Sequence, residues 1–160
     1  MFIYLELSNS ERKAVIDAED FLLIKGKKWS ICTCNGIQYI TSYSYENNKK
    51  TSILLHRLIV GAVKGQIVDH KNHDTFDNRK TNLRFCSHGQ NMANRKMSKA
   101  NKLGVRGVTY DKTNKNYEAK VTKNGVRYRS KHKTLIKASE WVKMKSIEIH
   151  GEFCCLDGCL

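Results

Sequence analysis

The order of apolar and polar segments in the middle of the chain constrains the fold more than any other feature. Residues 66–70, QIVDH, form a short apolar run with a polar end, and the polar loop KNHDTFDNRKTN separates it from a second run, LRF. Ser87, a residue type that caps helices, then precedes a helical stretch, HGQNMANRKM. Short apolar runs between polar segments are typical of strands. The pattern predicts a strand, a loop, a strand and a helix in that order.

Several side chains in this segment are suited to metal-assisted chemistry. Asp69 and His70 stand at the end of the first strand, Asn82 lies 12 residues after His70, and Asn91 lies on the predicted helix. Asp69 offers a carboxylate oxygen and Asn91 an amide oxygen, which suit Mg²⁺. His70 can take a proton from an attacking water, and we expect Asn82 to hold the loop and orient His70. This division of roles suits phosphodiester hydrolysis.

The segment resembles the HNH, or ββα-metal, nucleases, and within them the phage-type HNH homing endonucleases. The resemblance covers roughly residues 12–96, and its motifs are LHR at 55–57, VDH at 68–70, DNR at 77–79, NLR at 82–84, and QN at 90–91 with Asn94. The letters of the family name fall on His70, Asn82 and Asn91. Asn91 replaces the family's second His, so the resemblance implies Mg²⁺ or Mn²⁺ rather than zinc or nickel. His56 either lies over the active site as a catalytic residue or belongs to the core.

The charge of the chain points to a polyanionic partner. Lys and Arg number 29 against 15 Asp and Glu, which gives a formal charge of +14. Residues 99–133 alone hold 11 basic and two acidic side chains. A solvated surface is the usual reason for a run of charge, but here the basic residues alternate with Tyr and Val. We therefore expect contact with nucleic acid, and double-stranded DNA as the partner.

The C-terminal part predicts a small sheet with a helix. Its strand candidates are GVRGVTYD, NYEAKVTK and VRYRSKH, the pair Asn124-Gly125 predicts a hairpin between the last two, and a helix is expected from Leu135 to His150. Residues 104–153 resemble the APETALA2-type DNA-binding domain, in which a three-stranded antiparallel sheet lies in the major groove with a helix behind it. The matching residues are Gly104 to Val108, Tyr117, Ala119, Val121 and Ile149 to Phe153, and the chain departs from the family at SKHKT.

Arginine forks can read guanine edges, and lysines can bind phosphates. The candidate DNA-binding residues are Arg79, Arg84, Lys96, Arg106, Tyr110, Lys112, Lys120, Arg127 and Arg129.

The first 55 residues read as a small β-rich region. Strand candidates are Phe2 to Leu7, Trp29 to Cys34, Tyr39 to Tyr45 and Thr51 to Leu55, and AVIDAEDFLLI fits a strand that runs into a short helix. The cluster Asp17, Glu19 and Asp20 could hold a metal, but nearby lysines favour a helix cap and surface ion pairs.

The predicted fold class is α+β. A β-rich region leads into a ββα-metal module within a nuclease domain at 1–98, a linker follows at 99–103, and the sheet with its helix occupies 104–156. The six cysteines include no C-x2-C pair, which favours reduced thiols over a zinc site or disulfides.

Other classes of protein are excluded by the sequence. No apolar run approaches the roughly 20 residues that span a bilayer, and the opening residues do not resemble a secretory signal. We expect an intracellular monomer, by resemblance in the cytoplasm of a bacterial host. The leading hypothesis is a site-preferring, metal-dependent DNA endonuclease. The alternative is a non-catalytic, sequence-preferring DNA-binding regulator with a vestigial nuclease fold.

Overall fold

The computed structural model describes residues 1–97 and 100–156. It divides into two compact units, Met1–Ser87 and His88–Leu160. The described residues form several small antiparallel sheets and a few helices, which confirms a mixed α/β fold. Lys99, at the start of the predicted linker, and Cys159 lie outside the described residues. Among the described residues, no helix combines the length and the hydropathy needed to cross a membrane.

The first unit begins with a hairpin and a short helical turn. Strands β1 (Phe2–Leu7) and β2 (Ser10–Asp17) pair antiparallel, and a 3-10 turn (Ala18–Asp20) leads into α1 (Phe21–Ile24). The sequence predicts this strand only from Ala14. The polar residues before Ala14 instead extend the hairpin, and two of their side chains form ion pairs, Arg12 with Asp74 and Lys13 with Glu6.

A three-stranded antiparallel sheet follows in the order β3 (Ser30–Cys34), β4 (Ile37–Glu46) and β5 (Lys49–Leu54). Asn35 and Gly36 both have positive φ in the turn between β3 and β4, the conformation that two-residue hairpin turns require. Helix α2 (Leu55–Ile59) comes directly after β5. The buried core of the unit takes apolar side chains from β1, β2, α1, β4, α2 and other parts of the unit: Leu7, Ala14, Ile16, Ile24, Trp29, Ile40, Leu55, Ile59, Phe76 and Leu83. Ile31 of β3 and Ile53 of β5 pack against this core.

The last element pair of the first unit is β6 (Ile67–His70) and β7 (Leu83–Cys86), which pair antiparallel with His70 opposite Leu83 and Asp69 opposite Arg84. Residues 71–82 form the loop between them. The strand, loop and strand therefore lie where the sequence predicts them. Because the loop returns the chain to the strand end, the residues that flank it are brought together.

The second unit starts with α3 (His88–Ala93), and its sheet has the order β10 (Val126–His132), β9 (Asn116–Lys123) and β8 (Val108–Asp111). Helix α4 (Leu135–His150) packs on this sheet, and a 3-10 turn (Gly151–Phe153) follows it. Thr134 caps α4 by accepting a hydrogen bond from the backbone nitrogen of Lys137.

Strand β8 starts at Val108, although the sequence predicts a strand from Gly104. Gly104 and Gly107 have φ of +66° and +70°, which interrupts extended structure. A Cβ on Gly107 would lie 2.6 Å from the carbonyl oxygen of Lys120, so the glycine permits close approach to β9. The backbone nitrogen of Lys120 donates to the oxygen of Gly107 across this contact.

Candidate active site

The loop at 71–82 is held against β2. The backbone nitrogen of Val15 donates to the oxygen of Phe76 over 2.8 Å, and the nitrogen of Asn78 donates to the oxygen of Val15 over 2.7 Å. Phe76 is buried in the core of the unit. These contacts fix the middle of the loop, so its side chains have defined positions relative to the end of β6.

Asp77 and Arg79 form the strongest ionic contact in the loop. Nε and Nη2 of Arg79 each lie 2.7 Å from one carboxylate oxygen of Asp77, and Nδ2 of Asn72 donates to Oδ2. The hydrogen bonds from Arg79 hold the pKa of Asp77 below its usual value. The Arg79 guanidinium, predicted to contact DNA, is therefore engaged within the loop.

Asn82 fastens the two ends of the loop. Its side-chain nitrogen donates to the backbone oxygen of Asp77 over 2.7 Å, and its side-chain oxygen accepts from the backbone nitrogen of Asn72 over 3.0 Å. Asn82 thus holds the loop through backbone groups, as the sequence suggests. Both ends of the Asn82 amide bind backbone groups, and a different asparagine lies beside His70.

His70 is buried at the end of β6, and its Nε2 lies 3.3 Å from Oδ1 of Asn78. Asn78 is 0% exposed, and its Nδ2 donates to the backbone oxygen of Thr75. A carbonyl oxygen can only accept, so the amide nitrogen must face Thr75 and Oδ1 must face His70. Nε2 of His70 is therefore the protonated nitrogen, and Nδ1 keeps a lone pair for accepting a proton.

Burial also sets the charge of His70. Loss of solvent lowers the pKa of His70, although the hydrogen bond with Asn78 and the carboxylates of Asp69, Asp74 and Asp77 oppose this effect. A lowered pKa leaves the imidazole neutral at neutral pH. The ring is then in the form that can act as a base.

His56, on α2, packs directly against this imidazole. The ring centroids of His56 and His70 are 5.1 Å apart. The ring of Tyr39 also contacts His56, with the two centroids 5.6 Å apart. Burial, with the nearby His70 and Arg57, lowers the pKa of His56 to about 3. The structure places His56 beside the candidate base as a neutral ring, and a catalytic role for it stays a prediction.

Asp69 is paired with Arg84 across the two strands. Nε and Nη2 of Arg84 lie 3.0 Å and 2.9 Å from the same oxygen, Oδ2, and both side chains are 9% exposed. This ion pair holds the Asp69 carboxylate in a fixed orientation next to His70. The Arg84 guanidinium, also predicted to contact DNA, lies in this pair.

The chemistry of the donors fits a hard divalent cation. Asp69 supplies one carboxylate, and the described residues contain no group of three His, Cys, Asp or Glu side chains that could hold a metal. Mg²⁺ commonly takes only one or two protein carboxylates and completes its shell with water and substrate phosphate oxygens. Asn91, the second predicted ligand, lies on α3 in the second unit, and its role stays a prediction.

Comparison with known proteins finds a family that matches this part of the chain. Residues 52–93, from β5 to the end of α3, match the family described as HNH endonuclease. The match includes the loop at 71–82 and both strands beside it. The resemblance to HNH endonucleases drawn from the sequence is thereby confirmed, and the family suggests DNA endonuclease activity.

Two viral proteins are similar to the chain. An uncharacterized HNH endonuclease of Acanthamoeba polyphaga mimivirus is 28% identical over 142 residues, which cover 88% of this chain and 72% of that protein. Protein 3.8 of Escherichia phage T7 is 27% identical over 90 residues, which cover 56% of this chain and 74% of that protein. No solved structure matches the chain.

Outside the matched segment, the register of the C-terminal sheet sorts the predicted DNA-binding residues by face. Ala119 and Val121 of β9 are buried towards α4, so Lys120 between them lies on the outer face. Arg129 pairs with Lys120 across the strands, and Arg127 lies two residues away on the same face. The outer face, defined by Lys120, Arg127, Arg129 and Lys131, is basic, although it also carries Glu118, whose Oε1 lies 3.7 Å from Nη1 of Arg129.

Four other candidates lie elsewhere in the second unit. Tyr110 pairs with Tyr117, two residues before Ala119, so both are on the α4 side, with ring centroids 4.9 Å apart. The predicted first strand includes Arg106, but Arg106 lies in the turn before the observed strand. Arg106 precedes β8, and its guanidinium donates to the backbone oxygens of Met92 and Arg95 at the end of α3. Lys112 lies in the turn after β8, and Lys96 lies after α3.

The acidic cluster near α1 pairs with a lysine of the loop. Nζ of Lys80 lies 2.6 Å from Glu19 and 2.8 Å from Asp20, and the Lys80 backbone nitrogen donates to Asp17. Ion pairs form as the sequence favours, with a partner distant in sequence, but Asp20 is buried rather than on the surface. The predicted helix cap is wrong, because neither Asp17 nor Asp20 caps a helix through its side chain. The five cysteines of the described residues are free thiols, as expected: Cys32, Cys34, Cys86, Cys154 and Cys155.

Proposed function

We propose that this chain is a metal-dependent, homing-type DNA endonuclease that prefers particular sites, with His70 as the general base. The observation that carries the proposal is the contact between His70 and Asn78. It holds Nε2 of a buried, neutral imidazole and places the proton-accepting lone pair on Nδ1, inside a segment that matches HNH endonucleases.

The residues of the chain divide the work around one proton transfer. Nδ1 of His70 takes the proton of the attacking water, while Asn78 holds Nε2 and so fixes the plane of the ring. His56 packs against the ring and, being neutral, adds no charge that would compete with the incoming proton. Asn82 maintains the loop that carries Asn78.

Asp69 and Asn91 are the residues that would hold a divalent cation, Mg²⁺ or Mn²⁺. When bound, such a cation neutralises charge that develops on the phosphate and on the leaving oxygen. Arg84 keeps the Asp69 carboxylate oriented, because both of its donors reach one carboxylate oxygen.

The C-terminal sheet supplies affinity and site preference in this proposal, in the manner of the APETALA2-type domain that it resembles. The basic outer face supports this role, since Arg127 and Arg129 can reach base edges and Lys120 can bind phosphates. Lys112, Lys96 and Arg79 are proposed as additional phosphate contacts. Duplex DNA inside a host cell is the proposed partner of a monomeric enzyme.

Incubation of supercoiled plasmid with the purified protein tests the function directly. We expect nicked or linear product with Mg²⁺ or Mn²⁺, and none with EDTA or with the His70→Ala variant. A protein that binds the plasmid tightly yet leaves it intact with either metal would instead be a DNA-binding regulator with a vestigial nuclease fold.

A further inference from the structure

One face of the N-terminal sheet presents a row of tyrosines. Side chains alternate between the faces of a strand, so Tyr39, Tyr43 and Tyr45 share one face of β4. Ile40 belongs to the opposite face, which packs on the core. Tyr43 and Tyr45 are 43% and 71% exposed, respectively. Because the core covers the other side, these two rings face solvent.

This row begins at the candidate active site. The ring centroid of Tyr39 lies 5.6 Å from that of His56, which in turn packs against His70. Burial raises the pKa of Tyr39, and the negative charges of Cys34 and Asp69 add to the effect. Tyr39 therefore lies within electrostatic reach of the predicted metal ligand Asp69, and the exposed tyrosines continue outwards from it along β4.

The face also carries positive charge. Lys50 pairs with Tyr45 across β4 and β5, and its ammonium lies 3.8 Å from the ring centroid of Tyr43. The other positions of this face on the two strands hold Ile37, Thr41, Ser52 and Leu54, so no carboxylate opposes the lysine. Aromatic rings beside a cation suit the backbone of duplex DNA, because the rings can pack on sugars while the cation neutralises phosphates.

We propose that the tyrosine face, defined by Tyr39, Tyr43, Tyr45 and Lys50, binds duplex DNA on one side of the bond that is cut. The proposal rests on the proposed function, since the cut bond is placed at His70. Thr41, on the same face between Tyr39 and Tyr43, is 0% exposed, so the exposed part of the face runs from Tyr43 to Tyr45, roughly 7 Å at about 3.3 Å per residue. One DNA strand rises about 3.4 Å per nucleotide, so this part of the face can contact roughly two nucleotides.

Matched lysine variants test the surface on the full chain. A labelled duplex of arbitrary sequence is titrated in EDTA, which prevents cleavage, at several salt concentrations. We expect Lys50→Ala to reduce the logarithmic salt slope by about 0.9, the loss of one phosphate contact. Lys49→Ala removes the same charge from the neighbouring position, which lies on the opposite face, and should leave the slope unchanged. Equal behaviour of the two variants would overturn the proposal.

The tyrosines are tested in the same titration. The double variant Tyr43→Ala, Tyr45→Ala should bind about fivefold more weakly or worse, whereas Tyr43→Phe, Tyr45→Phe, which keeps both rings, should retain most of the affinity. Melting curves establish that the variants are folded, which we expect because both side chains are exposed. Unchanged affinity in a folded double alanine variant would refute the role of the tyrosines.

Photo-cross-linking locates the contact independently of affinity. A duplex with halogenated uracil should cross-link to Tyr43 or Tyr45, as mapped by mass spectrometry of the peptides. Cross-links found only in other parts of the chain would overturn the proposal. If the wild-type protein cross-links at these tyrosines but cleaves no plasmid with Mg²⁺ or Mn²⁺, the nuclease function fails while the surface stands. If it cleaves plasmid and the Tyr43 and Lys50 variants match wild type in binding, the surface alone fails.

Discussion

Replacement of Asn78 by leucine removes the hydrogen bond that fixes His70 while keeping a side chain of similar size. The wild-type amide accepts from Nε2 of His70 and donates to the backbone oxygen of Thr75, and it is fully buried. Leucine offers neither group, so a donor and an acceptor lose their buried partner. Each such loss costs about 1–3 kcal/mol, and we expect Asn78→Leu to lower the free energy of unfolding by roughly 2–5 kcal/mol.

The same substitution should slow cleavage beyond its effect on stability. Removal of a general base costs about 10²- to 10⁴-fold in rate, and a base that is present but unfixed should lose part of that factor, roughly 10- to 100-fold. Single-turnover nicking of supercoiled plasmid at saturating Mg²⁺, below the melting temperature of the variant, measures this loss. Nitrogen chemical shifts of His70 report the tautomer, and we expect the Nε2-protonated form to lose its predominance in the variant.

Asn72→Ala is the matched control for this experiment. Asn72 donates to Asp77 from the same loop, so its loss destabilises the loop without removing the partner of His70. We expect this variant to melt earlier but to cleave at close to the wild-type rate when folded. A folded Asn78→Leu protein that nicks plasmid as fast as wild type, with an unchanged His70 tautomer, would refute the positioning role of Asn78.

Other expected outcomes follow from the same geometry. His70→Ala should cleave about 10²- to 10⁴-fold more slowly in a nicking assay while gel-shift affinity for DNA stays near wild type. Asp69→Asn should need far more Mg²⁺, and an unchanged metal titration would show that Asp69 is not a ligand. Asp77 has a lowered pKa, so its ionised form stabilises the fold above the usual pKa of 3.8, and this stability is lost as the pH falls through the lower, folded value. The melting temperature of Asp77→Asn should therefore lie below that of wild type at neutral pH, and the two should converge in acid. Arg106→Ala should lower the thermal stability rather than relax sequence preference, because its guanidinium binds backbone oxygens of the chain.

Local sequence patterns were sufficient where one short segment determines the structure. The strands on either side of the 71–82 loop, the helix start at Thr134, and the turn at Asn124-Gly125 depend on neighbouring residues, and the structure has these elements where the sequence predicts them. The motif residues Asp69 and His70 likewise come together because they are adjacent on one strand. Patterns of this kind need no knowledge of distant contacts.

The partner of His70 could not be predicted in this way. Asn78 reaches it because the loop is held to β2 by Val15, a residue more than 60 positions earlier in the chain. The loop contains three asparagines, and the family motif predicts Asn82, rather than Asn78, as the one that orients His70. The sequence marks Asn78 only by its place in the DNR motif, between two charged residues. Its full burial, which only the structure shows, is what requires a hydrogen-bond partner.

Strand register decided which basic residues of the C-terminal sheet share a face, and composition alone carries no register. A shift of one residue moves every side chain of a strand to the other face. The pairing of Val108 with Ala119 fixes the register of β8 and therefore places Tyr110 on the side of α4. The sequence, in which Tyr110 stands near Lys112, instead predicts that Tyr110 contacts DNA. The same pairing rule places Lys120 opposite Arg129 on the outer face. Positive charges directly opposite one another repel, and Glu118 on the same face, 3.7 Å from Arg129, offsets part of this repulsion. Lys120, Arg127 and Lys131 leave this face with an excess of positive charge, which a phosphate backbone lying against it would neutralise.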